Sequence, residues 1–277
     1  VNHLSFRKTV GALLGEAVIW LRPKSIQQSE QVFASETIWQ RLTKAAVYRR
    51  AVLSSNQSEL EELHRRYWSS QEADRFFDQI RGRGLEHLQS HHSEIIDWMR
   101  ELMADRPNTF RQLCEIGSGN GRVLNYLSQV FPDIETFTGI DVSIRQTART
   151  QEQYRDSRLH FVADDGLNWL EAHATPGFLV STHGGVLEYF TEPRVKRLFE
   201  LIGSKAAPSA VAIVEPLDED FSLAKELRSR PAGQELTFSH NYPLLAWQAG
   251  LEVLHQKDVV YPFGRRLMMV AASSKPS

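Results

Sequence analysis

The chain of 277 residues contains a single cysteine, Cys114, which excludes a disulfide framework within it and any thiolate metal cluster. One cysteine also suits a reducing compartment, and the expected location is the cytoplasm. An excess of basic residues is missing as well. Against 34 Asp and Glu stand 32 Lys and Arg, a formal charge of −2, whereas nucleic-acid-binding domains usually show a clearly basic surface. Long apolar runs are lacking. The longest near the start, Val10–Leu21, is interrupted by Glu16 and closed by Arg22-Pro23, well short of the ~20 residues that span a bilayer. Arg7 and Lys8 imitate the start of a signal peptide, but no convincing small-x-small cleavage site follows. The run reads as an amphipathic helix packed on the protein or on a partner, with a membrane surface as the alternative. Internal repeats and low-complexity segments are also absent.

What is present changes character near residue 110. Before it the pattern is helical and polar, with helices expected over 30–54, 57–66 and 70–81 and a polar joint at Ser54–Ser58. Ile95, Trp98, Met99 and Leu102 recur at i, i+3, i+4 and i+7, the apolar stripe of one more helix, which Arg106-Pro107-Asn108 stops. After residue 110 short apolar strands alternate with helices. The expected strands are Gln112–Ile116, Thr136–Ile140, Leu159–Val162, Phe178–Ser181, Ala210–Val214, Glu252–Val260 and Leu267–Ala272. Alternation of this kind predicts an α/β fold, a seven-stranded, mostly parallel, doubly wound sheet. Only Tyr261–Arg266 separates the last two strands, too short for a crossover helix, so they form an antiparallel C-terminal hairpin. Residues 1–109 read as a helical extension or lid and 110–277 as the catalytic domain.

The first strand runs into "EIGSGNG", a turn at the carboxyl edge where parallel sheets bind ligands. Gly117 and Gly119 allow positive φ or close approach of a ligand, and Gly121 allows the next helix to pack on the strand. The spacing is G-x-G-x-G rather than the dinucleotide G-x-G-x-x-G. Glu115, two residues ahead, would sit poorly beside a pyrophosphate and suits an ammonium or sulfonium. Asp141 ends the second strand about 20 residues on, where a carboxylate accepts from ribose hydroxyls; Ser143 is left to cap the following helix. Asp164 and Asp165 end the third strand. Either could accept from an adenine amino group or cap the helix behind it.

In these residues the chain resembles the class I methyltransferases that use S-adenosylmethionine. The resemblance rests on "CEIGSGNGRVL", "GIDVS", "FVADDG", "VSTHGGVLEYF" and "AIVEP", in that order, and covers about residues 110–272. It implies S-adenosylmethionine as cofactor. Its methionine part would lie on Glu115, Gly117, Ser118, Gly119 and Gly121, its ribose on Asp141 with Val142, and its adenine on Asp164, Asp165 and Gly166. The resemblance also puts His183, in "STHGG", beside the methyl group.

Methyl transfer needs alignment and exclusion of water, and a hydroxyl nucleophile also needs a proton acceptor. His183 is the first candidate base, because the ordinary histidine pKa suits neutral pH; its plainer reading is a ring that caps a helix while its backbone touches the cofactor. His240, Asn241 and Tyr242 precede a Pro-initiated helix and form a candidate acceptor site with His240 as second base, unless Ser239 or Asn241 merely caps that helix. Tyr67 and Trp68 are candidates for a lid over the substrate. Glu188 and Tyr189 are expected on the next helix in a structural role. Glu215 lies near the same edge, and Asp218, Glu219 and Asp220 read as a solvated loop. His87, His91 and Glu94 share a helical face at i, i+4 and i+7, but without a fourth ligand no metal is expected. Arg65, Arg66, Arg81 and Arg83 could meet an anionic substrate such as a phosphorylated sugar or a carrier-bound acyl group.

The leading expectation is O-methylation of a sugar or specialised metabolite. N-methylation of a small amine or protein, or a non-catalytic cofactor-binding subunit, are the alternatives. A nucleic-acid substrate is not expected, since "STHGG" replaces the Asn/Asp-Pro-Pro-aromatic signature of exocyclic base amines. The N-terminal helices are a candidate homodimer surface.

Overall fold

A computed structural model describes residues 6–21, 38–53, 57–70, 73, 83–232 and 237–273. The helices α1 (Phe6–Leu21), α2 (Ile38–Leu53), α3 (Ser58–Trp68), α4 (Arg83–His91) and α5 (Glu94–Asp105) come first. The expected helix over 70–81, with Arg81 and the joint residues 54–56, falls outside the described residues apart from 70 and 73. Then follow β1 (Gln112–Ile116), α6 (Arg122–Val130), β2 (Thr136–Asp141), α7 (Ile144–Gln153), β3 (Leu159–Ala163), α8 (Gly166–His173), β4 (Phe178–His183), α9 (Glu192–Glu200) and β5 (Ala210–Leu217). The chain closes with β6 (Arg230–Ala232), β7 (Thr237–Ser239), α10 (Tyr242–Gln248), β8 (Leu251–Tyr261) and β9 (Gly264–Ser273).

The seven-stranded sheet has the order β3-β2-β1-β4-β5-β9-β8. Strands β1 to β5 pair in parallel, β9 runs antiparallel between β5 and β8, and six of the seven strands therefore point the same way. The order reverses at β1, whose partners are β2 on one side and β4 on the other, so a crevice opens at the carboxyl ends there. The expected strands are found within three residues at each end. The small β6-β7 hairpin was not anticipated; at three residues per strand it leaves almost no periodic signal.

Both sheet faces are covered. One core layer joins Phe178, Val180, Val211 and Ile213 to α8, α9 and α10. The other joins Leu113, Phe137 and Leu179 to Leu124, Leu127, Ile95 and Met99. Helices α4 and α5, on the extension side of residue 110, thus share the sheet's own core. Full burial of one such side chain stabilises by about 1.5–3 kcal/mol. His87, His91 and Glu94 do not share a helical face. The helix breaks at His92-Ser93, and Glu94 starts the next one. No helix among the described residues is long and apolar enough to cross a membrane. Helices α1 and α2 pack against each other where Gly15 lies so close that a Cβ there would stand 1.8 Å from the Leu42 carbonyl oxygen. Arg50 of α2 joins Glu16 of α1 at 2.6 Å and Glu59 of α3 at 3.2 Å.

Candidate active site

A single cavity of about 430 Å³ runs along the carboxyl edge of the strands, within the usual size of small-molecule sites. The glycine turn forms its floor. The Gly117 and Ser118 amides both donate to the Ile140 carbonyl, at 2.7 and 3.1 Å, which ties the turn to the neighbouring strand. Gly117 has φ +72°, and a Cβ there would stand 2.5 Å from Val186 Cγ2. Only glycine fits, which keeps the backbone open to a ligand.

Glu115 faces this floor. Its side chain is 2% exposed, and Oε2 is buried without a hydrogen-bond partner. Burial pushes its carboxyl well above the usual carboxylate range, opposed by the Leu124 amide and reinforced by Asp141. Without a partner such a group keeps its proton, and a cation bound beside it would let it ionise. Asp141, which lines the cavity, accepts from the Gly119 amide at 3.0 Å and the Ser143 amide at 2.9 Å, one on each oxygen. Ser143 caps α7 through the Gln146 amide, as expected. The two acids after β3 divide. Asp165 caps α8 through the amides of Leu167 and Asn168 and pairs with Arg194 at 2.5 Å. Its carboxylate is therefore committed to structure, and Asp164, which also lines the cavity, is the acid left for a ligand. Ser118, Gly119, Val142 and Gly166 line the same space.

At the next strand His183 enters the cavity wall, its Nε2 3.1 Å from His92 Nδ1. Burial pushes His183 down to about 3 and His92 to about 4, with positive neighbours in the same direction, including Arg266. Both rings are neutral at neutral pH. His183 lies in the cavity as expected, with a ring that is a weaker base than an ordinary histidine.

His240, Asn241 and Tyr242 do not line the cavity. His240 is fully buried, with Nδ1 2.6 Å from Ser229 Oγ and Nε2 3.2 Å from the Leu187 carbonyl, so both nitrogens are engaged. Asn241 caps α10 and donates to the carbonyls of Leu223 and Glu226. Tyr242 is fully buried in the core. An acceptor site there is corrected to a structural joint. Of the aromatic pair on α3, Trp68 lines the cavity while Tyr67, 4% exposed, packs inside. Glu188 and Tyr189 sit in a 3₁₀ turn, Leu187–Tyr189, and line the cavity instead of the next helix.

Some site residues carried too little sequence signal. Glu215, fully buried, accepts on Oε1 from the Thr182 hydroxyl at 2.5 Å and on Oε2 from the amides of Val186 and Leu187 at 3.0 Å. It fixes the loop that carries Gly184 and Gly185 over the cavity. Glu61 of α3 accepts from the Thr191 amide at 3.0 Å and meets Arg194 at 2.9 Å, which holds α3 as a cover. His87, His92 and Arg266 complete the far wall. Among the described residues no group of His, Cys, Asp or Glu could hold a metal ion.

A reversing parallel sheet, a glycine floor with an incomplete acid, and acids at the next two strand ends define a class I methyltransferase. A family model described as "Methyltransferase domain" matches residues 85–256. The chain belongs to that family, and it is an S-adenosylmethionine-dependent methyltransferase. Among solved structures it is similar to a magnesium protoporphyrin IX methyltransferase from Synechocystis PCC 6803 with bound S-adenosylhomocysteine, with 16% identity over 77% of this chain and 99% of that one and a TM-score of 0.54. It is also similar to the 1,6-didemethyltoxoflavin-N1-methyltransferase of Burkholderia thailandensis, with 15% identity over 73% and 88% and a TM-score of 0.50. The sugar N-methyltransferase KedS8 from Streptoalloteichus sp ATCC 53650 shares 16% identity over 73% and 93%, again at 0.50. No curated protein sequence matches the chain.

Proposed function

We propose that the protein transfers a methyl group to an oxygen of a small molecule. One observation carries this reading. A single cavity joins Glu115, Asp141 and Asp164 on one side to His183, His92 and Arg266 on the other. When bound, S-adenosylmethionine supplies an activated methyl on a sulfonium. Glu115 would hold its ammonium, Asp141 its ribose hydroxyls and Asp164 its adenine amino group. His183, backed by His92, hydrogen-bonds to the acceptor oxygen; from a hydroxyl it takes the proton as the methyl is transferred, whereas a carboxylate has none to lose. Trp68, Tyr189 and Phe190 exclude water around it. An oxygen is favoured over an amine because the Arg266 guanidinium on the acceptor side repels an ammonium. Small-molecule substrates agree with the porphyrin, toxoflavin and sugar methyltransferases of similar fold.

The test is S-adenosylhomocysteine formation against a panel of hydroxylated acids, phenols, sugars and amines. Turnover with hydroxyl or carboxyl acceptors is the expected result. Turnover confined to amines would transfer the reading to N-methylation, and tight cofactor binding without turnover for any acceptor would favour a non-catalytic subunit.

A further inference from the structure

The far wall of the cavity holds a positive charge. Arg266 lines the cavity, half-buried, and pairs with no carboxylate among the described residues. Its guanidinium donates to the Arg265 carbonyl at 2.9 Å and lies over the Phe263 ring at 5.7 Å. These contacts leave most of its five donors unused. Next to it His92 is 2% exposed, and its Nε2 is buried with no hydrogen-bond partner. An uncommitted guanidinium and an orphaned buried nitrogen in one wall are two separate vacancies for an acceptor of hydrogen bonds.

No carboxylate lining the cavity forms an ion pair with Arg266: Glu61 and Asp165 pair with Arg194, and Glu115, Asp141 and Asp164 lie at the ends of β1, β2 and β3. The cofactor's own carboxylate is a poor explanation for Arg266. Strand β9 stands three places from β1 along the sheet, about 14 Å at the usual strand spacing of ~4.8 Å. The cofactor acids occupy β1, β2 and the end of β3, on the opposite side of His183.

We infer that the methyl acceptor is an acid anion, a small molecule with an apolar, ring-sized body whose carboxylate or phosphate group is held by Arg266 and His92. The body would lie against Trp68, Tyr189 and Phe190, which line the same space. This rests on the proposed transfer to a small molecule and narrows its substrate class. Arg65 and Arg83 also line the cavity and add to its positive charge. A guanidinium is the side chain suited to planar, two-pronged recognition of such a group.

Benzoate and benzamide are the probes, equal in shape and different in charge. Their binding to the protein loaded with S-adenosylhomocysteine is measured by calorimetry for the wild type, Arg266→Gln and Arg266→Lys. The expected result is a preference of about tenfold or more for benzoate in the wild type, lost in Arg266→Gln and partly kept in Arg266→Lys. Equal binding of the two probes, no binding of either at millimolar concentration, or a preference that survives in Arg266→Gln would overturn the inference. Weaker S-adenosylhomocysteine binding in Arg266→Gln with the benzoate preference intact would assign the arginine to the cofactor and overturn it too. Failure of the wild type to bind S-adenosylhomocysteine at all would instead sink the cofactor site on which the proposed function stands.

Discussion

Acid will destabilise this protein through its buried histidines, and His240 allows the effect to be isolated. In the folded chain burial holds the His240 ring down at about 4, against an ordinary value of 6.5. The hydrogen bonds explain the resistance. Nε2–H donates to the Leu187 carbonyl and Nδ1 accepts from the Ser229 hydroxyl, so a second proton would break the latter. Below pH 6.5 the unfolded chain takes up a proton that the folded chain refuses until about pH 4. A group depressed in this way contributes stability that is present above the unfolded value and lost as pH falls. Each pH unit in the window costs about 1.4 kcal/mol, or about 3 kcal/mol across it. Glu115 and Glu215 act in the opposite sense, because burial raises both and their contribution is lost as pH rises. The raw profile therefore mixes signs, and the difference between wild type and His240→Gln separates them. Urea unfolding of both proteins should show their stability gap shrinking by about 3 kcal/mol between pH 6.5 and about pH 4. Parallel profiles would refute the assignment of a neutral, doubly bonded ring.

Glu115→Gln removes the negative charge offered to the ammonium; S-adenosylhomocysteine titrated by calorimetry should bind roughly 10–100-fold more weakly, the worth of about 1.5–3 kcal/mol for a charge-assisted hydrogen bond. Unchanged affinity would remove Glu115 from the cofactor site. Gly117→Ala sets a side chain at φ +72° and 2.5 Å from Val186 Cγ2. The backbone alone costs about 1–2 kcal/mol, so thermal melts should fall and cofactor titration should weaken. Glu215→Ala leaves the Thr182 hydroxyl and the Val186 and Leu187 amides without their acceptor. At about 1–3 kcal/mol per buried donor the unfolding free energy should drop by 3 kcal/mol or more. Glu215→Gln should lose much less, since its amide oxygen still serves the amides and Thr182 can turn to accept.

The cofactor half was legible because its residues sit close together in sequence and each strand end follows a short apolar run. "EIGSGNG", "GIDVS" and "FVADDG" each announce a turn, and each turn lands on the same edge. Only the division of labour between Asp164 and Asp165 needed coordinates, because capping and ligand binding ask for the same residue type. The acceptor half was not legible. His183 was identified by position, but its depressed basicity arises from burial beside His92, 91 residues away in sequence. "FSHNYP" looked like a polar site because capping residues and catalytic residues share a vocabulary; the fold uses His240 and Asn241 to fasten loops. Arg266 was invisible for a plainer reason. Within the hairpin it reads as one of two adjacent arginines, and only the register of β9 against β5 turns it toward the cavity.

The hairpin between β8 and β9 reaches back to the start of the domain. Tyr261 donates to the His91 carbonyl at 2.7 Å, and Phe263 stacks on His87 at 4.7 Å, across about 170 residues of chain. The two halves of the cavity therefore assemble on different schedules. Strands β1 to β3 and their turns close short loops and can form early, whereas the wall with His87, His92 and Arg266 waits until a very long loop closes. During synthesis a chain that has emerged only through β5 would already possess the cofactor floor and still lack the surface that chooses what is methylated.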